Sequence, residues 1–144
     1  SLELKERVIW CGLLHDTQKY EALADADVTV YPSTKEVFGL VPLESIMAGT
    51  PVIVCDDDGC AEVIRNVGAG ELVPWNNPEV LAQSIRKRLK QDKNPDELRR
   101  AQEKIRVRFN WHIIAREVVN FYKDATTTPR HTEKSHGGTE TQSC

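Results

Sequence analysis

Two glutamates, Glu36 and Glu44, stand eight positions apart across a glycine-containing turn in a chain of 144 residues. Val37-Phe38-Gly39-Leu40 runs between them, and Pro42 follows where a helix would begin. Gly39 lets backbone approach a ligand closely. A helix start presents free N–H groups and the positive end of a dipole, which attract anions. Pro42 suits such a start because the first helical positions do not need their N–H. One anion-binding turn flanked by two carboxylates points to a ligand with both phosphates and hydroxyls, and a sugar nucleotide has both. Each part also has a plainer reading. Glu44, in a first turn, could only complement the dipole or cap the helix. Glu36 could be a solvated loop residue, and Gly39 could serve the turn alone.

The elements that must position these residues lie immediately around them. Val28-Thr29-Val30-Tyr31 is β-branched and aromatic and predicts a strand, which Pro32 and Ser33 end. Leu43, Ile46 and Met47 form an apolar stripe at helical spacing, and Gly49 is placed to close that helix in a left-handed conformation. Pro51-Val52-Ile53-Val54-Cys55 does not alternate in polarity, which predicts a strand buried on both faces.

Taken together, the strand, P-S-x-x-E-x-F-G-L-x-x-L-E, an apolar helix and G-T-P-V-I resemble the carboxyl-terminal domain of glycosyltransferase family 4, whose enzymes have the two-domain GT-B fold. Glu36 and Glu44 fall on that family's E-x7-E motif. The resemblance implies the donor-binding portion of a retaining glycosyltransferase, moving a sugar from a nucleotide-sugar such as a UDP- or GDP-sugar to an acceptor hydroxyl. It implies that Glu36, the catalytic candidate, touches the donor sugar or its phosphate. The backbone N–H groups of Phe38, Gly39 and Leu40 would hold sugar hydroxyls and phosphate, and Glu44 would accept from the ribose. Leu14, just after Gly12, is the nearest match to the family's nucleobase contact, with a core leucine as the alternative. No metal and no other cofactor is implied. The resemblance spans roughly residues 7–123 and leaves the family's amino-terminal acceptor domain, and the Arg and Lys that hold the donor diphosphate, without a counterpart. A non-catalytic nucleotide-sugar-binding module, or a subunit needing a partner chain, is the alternative function.

The expected fold is α/β: a partial doubly wound, Rossmann-like parallel sheet of about four strands with flanking helices, over residues 1–125. Residues 8–11 predict the first of these four strands, equivalent by resemblance to the third of order 3-2-1-4-5-6. With the two intervening strands upstream, it must pair elsewhere, collapse onto its neighbour or hang free. That would also leave the 28–31 strand with a bare edge and apolar Val28 and Val30 exposed. Asp16 or Thr17 is placed to cap a helix over 18–24, with Tyr20, Leu23 and Ala24 inward. Isolated His15 reads as a solvent-facing or capping residue. Gly59 and Glu62 resemble the family's G-x-x-E turn into a helix over 61–65, and Glu71-Leu72-Val73 is a short last strand.

Asn77-Pro78 and Asn94-Pro95 are helix starts. The first helix would turn Val80, Leu81, Ile85 and Leu89 inward, the second Leu98, Ala101 and Ile105. Phe109-Asn110-Trp111 resembles a family F-S-W step with Asn for Ser, before a terminal amphipathic helix carrying Ile114, Val118, Phe121 and Tyr122.

Composition bounds the rest. Net charge is −3, which argues neither for nor against nucleic acid, and no nucleic-acid partner is expected. Residues 86–108 hold ten basic and four acidic side chains. Two solvated helix faces are the expectation there, and peripheral contact with an anionic membrane is the alternative. No apolar run approaches the ~20 residues of a spanning helix. Cys11, Cys55, Cys60 and Cys144 match no zinc spacing, so a reducing cytoplasm without structural disulfides is expected. Asp56-Asp57-Asp58 reads as a polar turn and not a metal site, because neighbours in extended chain point apart. Residues 126–144 carry almost no apolar side chains and are expected to be a disordered tail.

Overall fold

The computed structural model describes Leu4, residues 6–56 and residues 59–127. The acidic turn at Asp57 and Asp58, and the tail with His131, His136 and Cys144, lie outside the described residues. Two compact units are present, Ser1–Arg108 and Phe109–Cys144.

The first unit is an α/β sheet with flanking helices. Its three strands, β1 (Thr29–Tyr31), β2 (Val52–Cys55) and β3 (Gly70–Val73), are parallel and ordered β1-β2-β3. Thr29 pairs with Val52 and Tyr31 with Val54, while Val52 pairs with Gly70 and Cys55 with Val73. All four residues of β2 are buried. Successive side chains point to opposite faces, so both faces of the sheet are covered there. The helices of this unit are α1 (Asp16–Asp25), α2 (Leu40–Met47), α3 (Gly59–Val67), α4 (Pro78–Arg88) and α5 (Pro95–Arg108). Helix α2 packs on β1, β2, α1 and α5, and α3 on β2, β3 and α5. The core gathers Ile46 of α2, Val52, Ile53 and Val54 of β2, Ile64 of α3, and Leu98, Ala101 and Ile105 of α5, as their spacing predicts.

Several expectations change. Residues 8–11 form no strand, and Ile9 and Trp10 are 85% and 92% exposed. Their β propensity has no ladder to join, and a strand exists only as one side of a pair. Of the outcomes open to this segment, it hangs free. Strand β1 is an edge strand of this sheet, yet Val28 and Val30 are half-buried instead of exposed. Helix α1 starts at Asp16 with His15 at its N-cap position, exposed and making no side-chain cap bond, so neither Asp16 nor Thr17 caps it. Tyr20 and Ala24 face solvent, and only Leu23 of the predicted inner face is half-buried. On α4, Val80, Leu81 and Ile85 are half-buried while Leu89 is exposed.

Caps explain where the later helices begin. Val80 N donates to Asn77 Oδ1 at 3.1 Å, with Pro78 first inside α4. The N–H groups of Asp96 and Glu97 both donate to Asn94 Oδ1 at 3.2 Å. A late helix also braces an early one: Gln102 Nε2 of α5 donates to the carbonyls of Ile46 and Met47 at 3.0 and 3.3 Å, adding to the Gly49 N–H that already meets the Ile46 carbonyl at the end of α2.

The second unit contains α6 (Trp111–Thr127). His112 N donates to Asn110 Oδ1 at 2.9 Å, so Asn110 is its N-cap. That accounts for Asn in an F-S-W-like step, since Asn and Ser are comparable caps. Ile114 is half-buried, and Val118, Phe121 and Tyr122 are exposed.

Candidate functional site

The glutamate pair sits on the connection from β1 to α2. Tyr31 ends β1 and Pro32 turns the chain out of the sheet. Lys35 and Gly39 then adopt left-handed backbone, with φ of 59° and 74°. Gly39 is the N-cap of α2, which therefore begins at Leu40 and not at Pro42. Pro42 is still within the first turn, where N–H groups have no intrahelical partner. Gly49, at φ 91°, closes the helix as its position predicts.

The loop is packed directly on the start of α3. A Cβ built on Gly39 would stand 2.5 Å from Cys60 Sγ, and one on Gly59 would stand 2.1 Å from the Val37 carbonyl oxygen. Both glycines are thus required by close approach, and at Gly39 by the left-handed backbone as well. Gly59, read from sequence as a turn residue, is the floor under the Glu36 loop.

Glu36 folds back over this turn. Tyr31 Oη donates to its Oε2 at 2.9 Å, and the N–H groups of Phe38 and Gly39 both reach its Oε1 at 3.4 Å. The Tyr31 hydroxyl first, and then the Phe38 N–H, hold the Glu36 carboxyl below the usual carboxylate range. The same contact, with burial, pushes the Tyr31 phenol up. Two of the three N–H groups expected to meet a ligand are therefore engaged by Glu36 itself. Phe38 is half-buried, Gly39 buried and Leu40 64% exposed.

Glu44 is the fifth residue of α2, past its first turn, so the dipole and capping reading does not apply to it. Its Oε1 accepts from Lys19 Nζ of α1 at 2.7 Å, and both side chains are part-buried. This pairing raises the Lys19 pKa, and the ammonium also lies 4.7 Å from the centre of the Tyr20 ring. The next residue, Ser45, is fully buried and ties α2 down: its Oγ donates to the Thr50 carbonyl at 3.0 Å and shares a hydroxyl–hydroxyl hydrogen bond with Thr29 Oγ1 at 2.8 Å. Thr50 Oγ1 in turn donates to the Ala26 carbonyl at 3.1 Å. Leu14 is half-buried just ahead of α1, and none of the hydrogen bonds described for either glutamate involves it.

Beside this loop a cavity of about 260 Å³ opens at the carboxyl ends of all three strands, lined among others by Pro32, Cys55, Val73, Trp75 and Leu81. Ligands of open α/β sheets bind at these ends. The glutamates do not line the cavity; Pro32 links it to their loop. Among the described residues, no three His, Cys, Asp or Glu side chains converge as a metal site. No described helix is long and apolar enough to cross a membrane.

Sequence reasoning missed Tyr31, Lys19, Ser45 and the floor role of Gly59. Tyr31 stands five positions before Glu36 across a proline turn, a spacing that could have suggested a return contact. Lys19 is 25 positions from Glu44 and carries no local signal.

A parallel sheet with flanking helices and a loop site at its strand ends defines a Rossmann-like domain. The chain belongs to the glycosyl transferases group 1 family, whose model matches residues 1–126. It is 33% identical over 127 residues to an uncharacterized glycosyltransferase of Methanocaldococcus jannaschii, covering 87% of this chain and 32% of the relative. It is 30% identical over 126 residues to the phosphatidyl-myo-inositol mannosyltransferase of Mycobacterium leprae, covering 87% and 34%. A D-inositol 3-phosphate glycosyltransferase of Acidothermus cellulolyticus is 31% identical over 130 residues, covering 90% and 29%. The chain thus spans about a third of the length of these relatives. The resemblance to family 4 read from the motif holds.

Proposed function

We propose that the chain is the donor-binding portion of a retaining glycosyltransferase that transfers a sugar from a nucleotide-sugar to an acceptor hydroxyl. The observation that carries this reading is the glutamate pair, with Glu36 held over the Gly39 turn and Glu44 on the helix that follows, in a chain of the group 1 family. An ionised carboxylate only accepts hydrogen bonds, so each glutamate suits a ligand rich in hydroxyls. Glu36 touches the donor sugar and Glu44 accepts from the ribose. Leu14 packs on the nucleobase, and the turn of Phe38, Gly39 and Leu40 backs the donor sugar, Phe38 and Gly39 acting through the Glu36 carboxylate that their N–H groups hold. No metal or other cofactor is required. The setting is cytoplasmic, with peripheral membrane contact through the basic helices as an option. A relative named as a mannosyltransferase supports a hexosyl donor, without fixing which.

A second reading is a nucleotide-sugar-binding module or subunit that completes its site with a partner chain or acceptor domain. Calorimetric titration with UDP, GDP, UDP-glucose and GDP-mannose tests the common core of both. At least one sugar nucleotide should bind more tightly than its parent diphosphate; no binding across the panel overturns the proposal. Transfer from a bound donor to added acceptor then separates the enzyme from the module.

A further inference from the structure

We infer that Tyr31 is the positioning residue of this site: its hydroxyl holds the Glu36 carboxylate in the turn of Phe38 and Gly39, so that sugar hydroxyls are read through Glu36 and not phosphate through a bare turn. The inference deepens the donor-binding reading and rests on it.

Distances decide which contact does the holding. The two N–H groups lie 3.4 Å from Glu36 Oε1, longer than the usual 2.9–3.0 Å of an amide bond. The Tyr31 contact, at 2.9 Å, is shorter than either of these. Tyr31 is also the better anchored partner. Its backbone pairs with Val54 of the fully buried β2, whereas the N–H groups belong to a loop. A rigid strand therefore aims a phenol at a flexible glutamate and fixes its orientation.

The electrostatics follow from that placement. A phosphate entering the turn would meet a held negative carboxylate where it needs bare N–H groups. A sugar hydroxyl would instead find an oriented acceptor that is already ionised. Ser33 and the Cys60 thiol at the start of α3 are further groups that act on the Tyr31 hydroxyl.

The test uses Tyr31→Phe in the full chain, which keeps the ring on β1 and removes only the hydroxyl. Carboxyl NMR should show the Glu36 titration midpoint moving up toward the ordinary range. Calorimetry with UDP, GDP, UDP-glucose and GDP-mannose should show the gain from the sugar falling at least about fivefold, the worth of an ordinary hydrogen bond, with diphosphate affinity unchanged or raised. An unmoved Glu36 midpoint overturns the inference, and so does a moved midpoint with the sugar gain intact. A wild-type chain that binds none of the four ligands refutes the donor-binding reading instead, and the Glu36 titration then decides by itself whether Tyr31 positions that carboxylate.

Discussion

Gly59 and Val37 touch so closely that a single added methyl group at 59 would lie 2.1 Å from the Val37 carbonyl oxygen. Helix α3 is therefore a template for the loop that carries Glu36, although the two are more than twenty positions apart.

Gly59→Ala should accordingly destabilise the fold by about 1–3 kcal/mol, the usual cost of overpacking. Urea unfolding measures it. An unchanged midpoint would mean that the loop moves off α3 freely and is not built against it.

Glu44→Ala should weaken nucleotide diphosphate binding. Losing a hydrogen bond to a charged group costs roughly 1.5–3 kcal/mol, on the order of ten- to a hundredfold in affinity. Glu36→Ala should leave diphosphate affinity intact or raise it, and reduce the added affinity from the sugar. Calorimetry on both variants with UDP and UDP-glucose, and with GDP and GDP-mannose, separates them. Equal losses of both kinds in both variants would dissolve the division of labour.

The pH dependence has a definite sign. Glu36 has a depressed folded pKa, chiefly through Tyr31, so its contribution is complete above the unfolded value near about 4.3 and is lost as pH falls through the folded value. Tyr31 and Lys19 have raised folded pKa values, through Glu36 and Glu44 respectively. Their contributions are complete below their ordinary values and disappear as pH rises through the folded ones. The stability difference between wild type and Glu36→Gln should therefore shrink as pH drops from about 6 to about 3. Urea midpoints across that range measure it, and a constant difference would show that Glu36 has no such link to folding.

Amide hydrogen exchange should be fast at residues 8–11 and slow at β2. The first segment is exposed and outside the sheet, and the second is buried between two neighbours. Comparable protection of both would mean that residues 8–11 pair with something in solution.

The unit from β1 through α2 to β2 was legible because its punctuation is local. Pro32 ends a strand, Gly49 ends a helix, and an unbroken apolar run marks the central strand. The start of α2 was misjudged by two residues because Pro42 is the louder signal, while the left-handed Gly39 sets the boundary. That shift alone moved Glu44 out of the first turn. The 8–11 strand failed for a different reason, since propensity is a property of residues and pairing a property of neighbours. The partners of the two glutamates fall between these cases. The bond from Tyr31 to Glu36 depends on how the chain doubles back after Pro32, and the one from Lys19 to Glu44 on two helices meeting. The first leaves only a short spacing across a proline turn as its trace, and the second leaves none. The resemblance carried the pair itself, but nothing about what holds it.

The amide of Gln102 gives the assembly an order in time. Both glutamates leave the ribosome within one short stretch, yet the Met47 carbonyl at the end of the helix that bears Glu44 accepts from a side chain made 55 residues later. A nascent chain halted before α5 would already display the whole motif while that helix end lacked its brace. Possession of the signature and completion of the helix behind it are thus separate steps, and the second belongs to the far end of the unit.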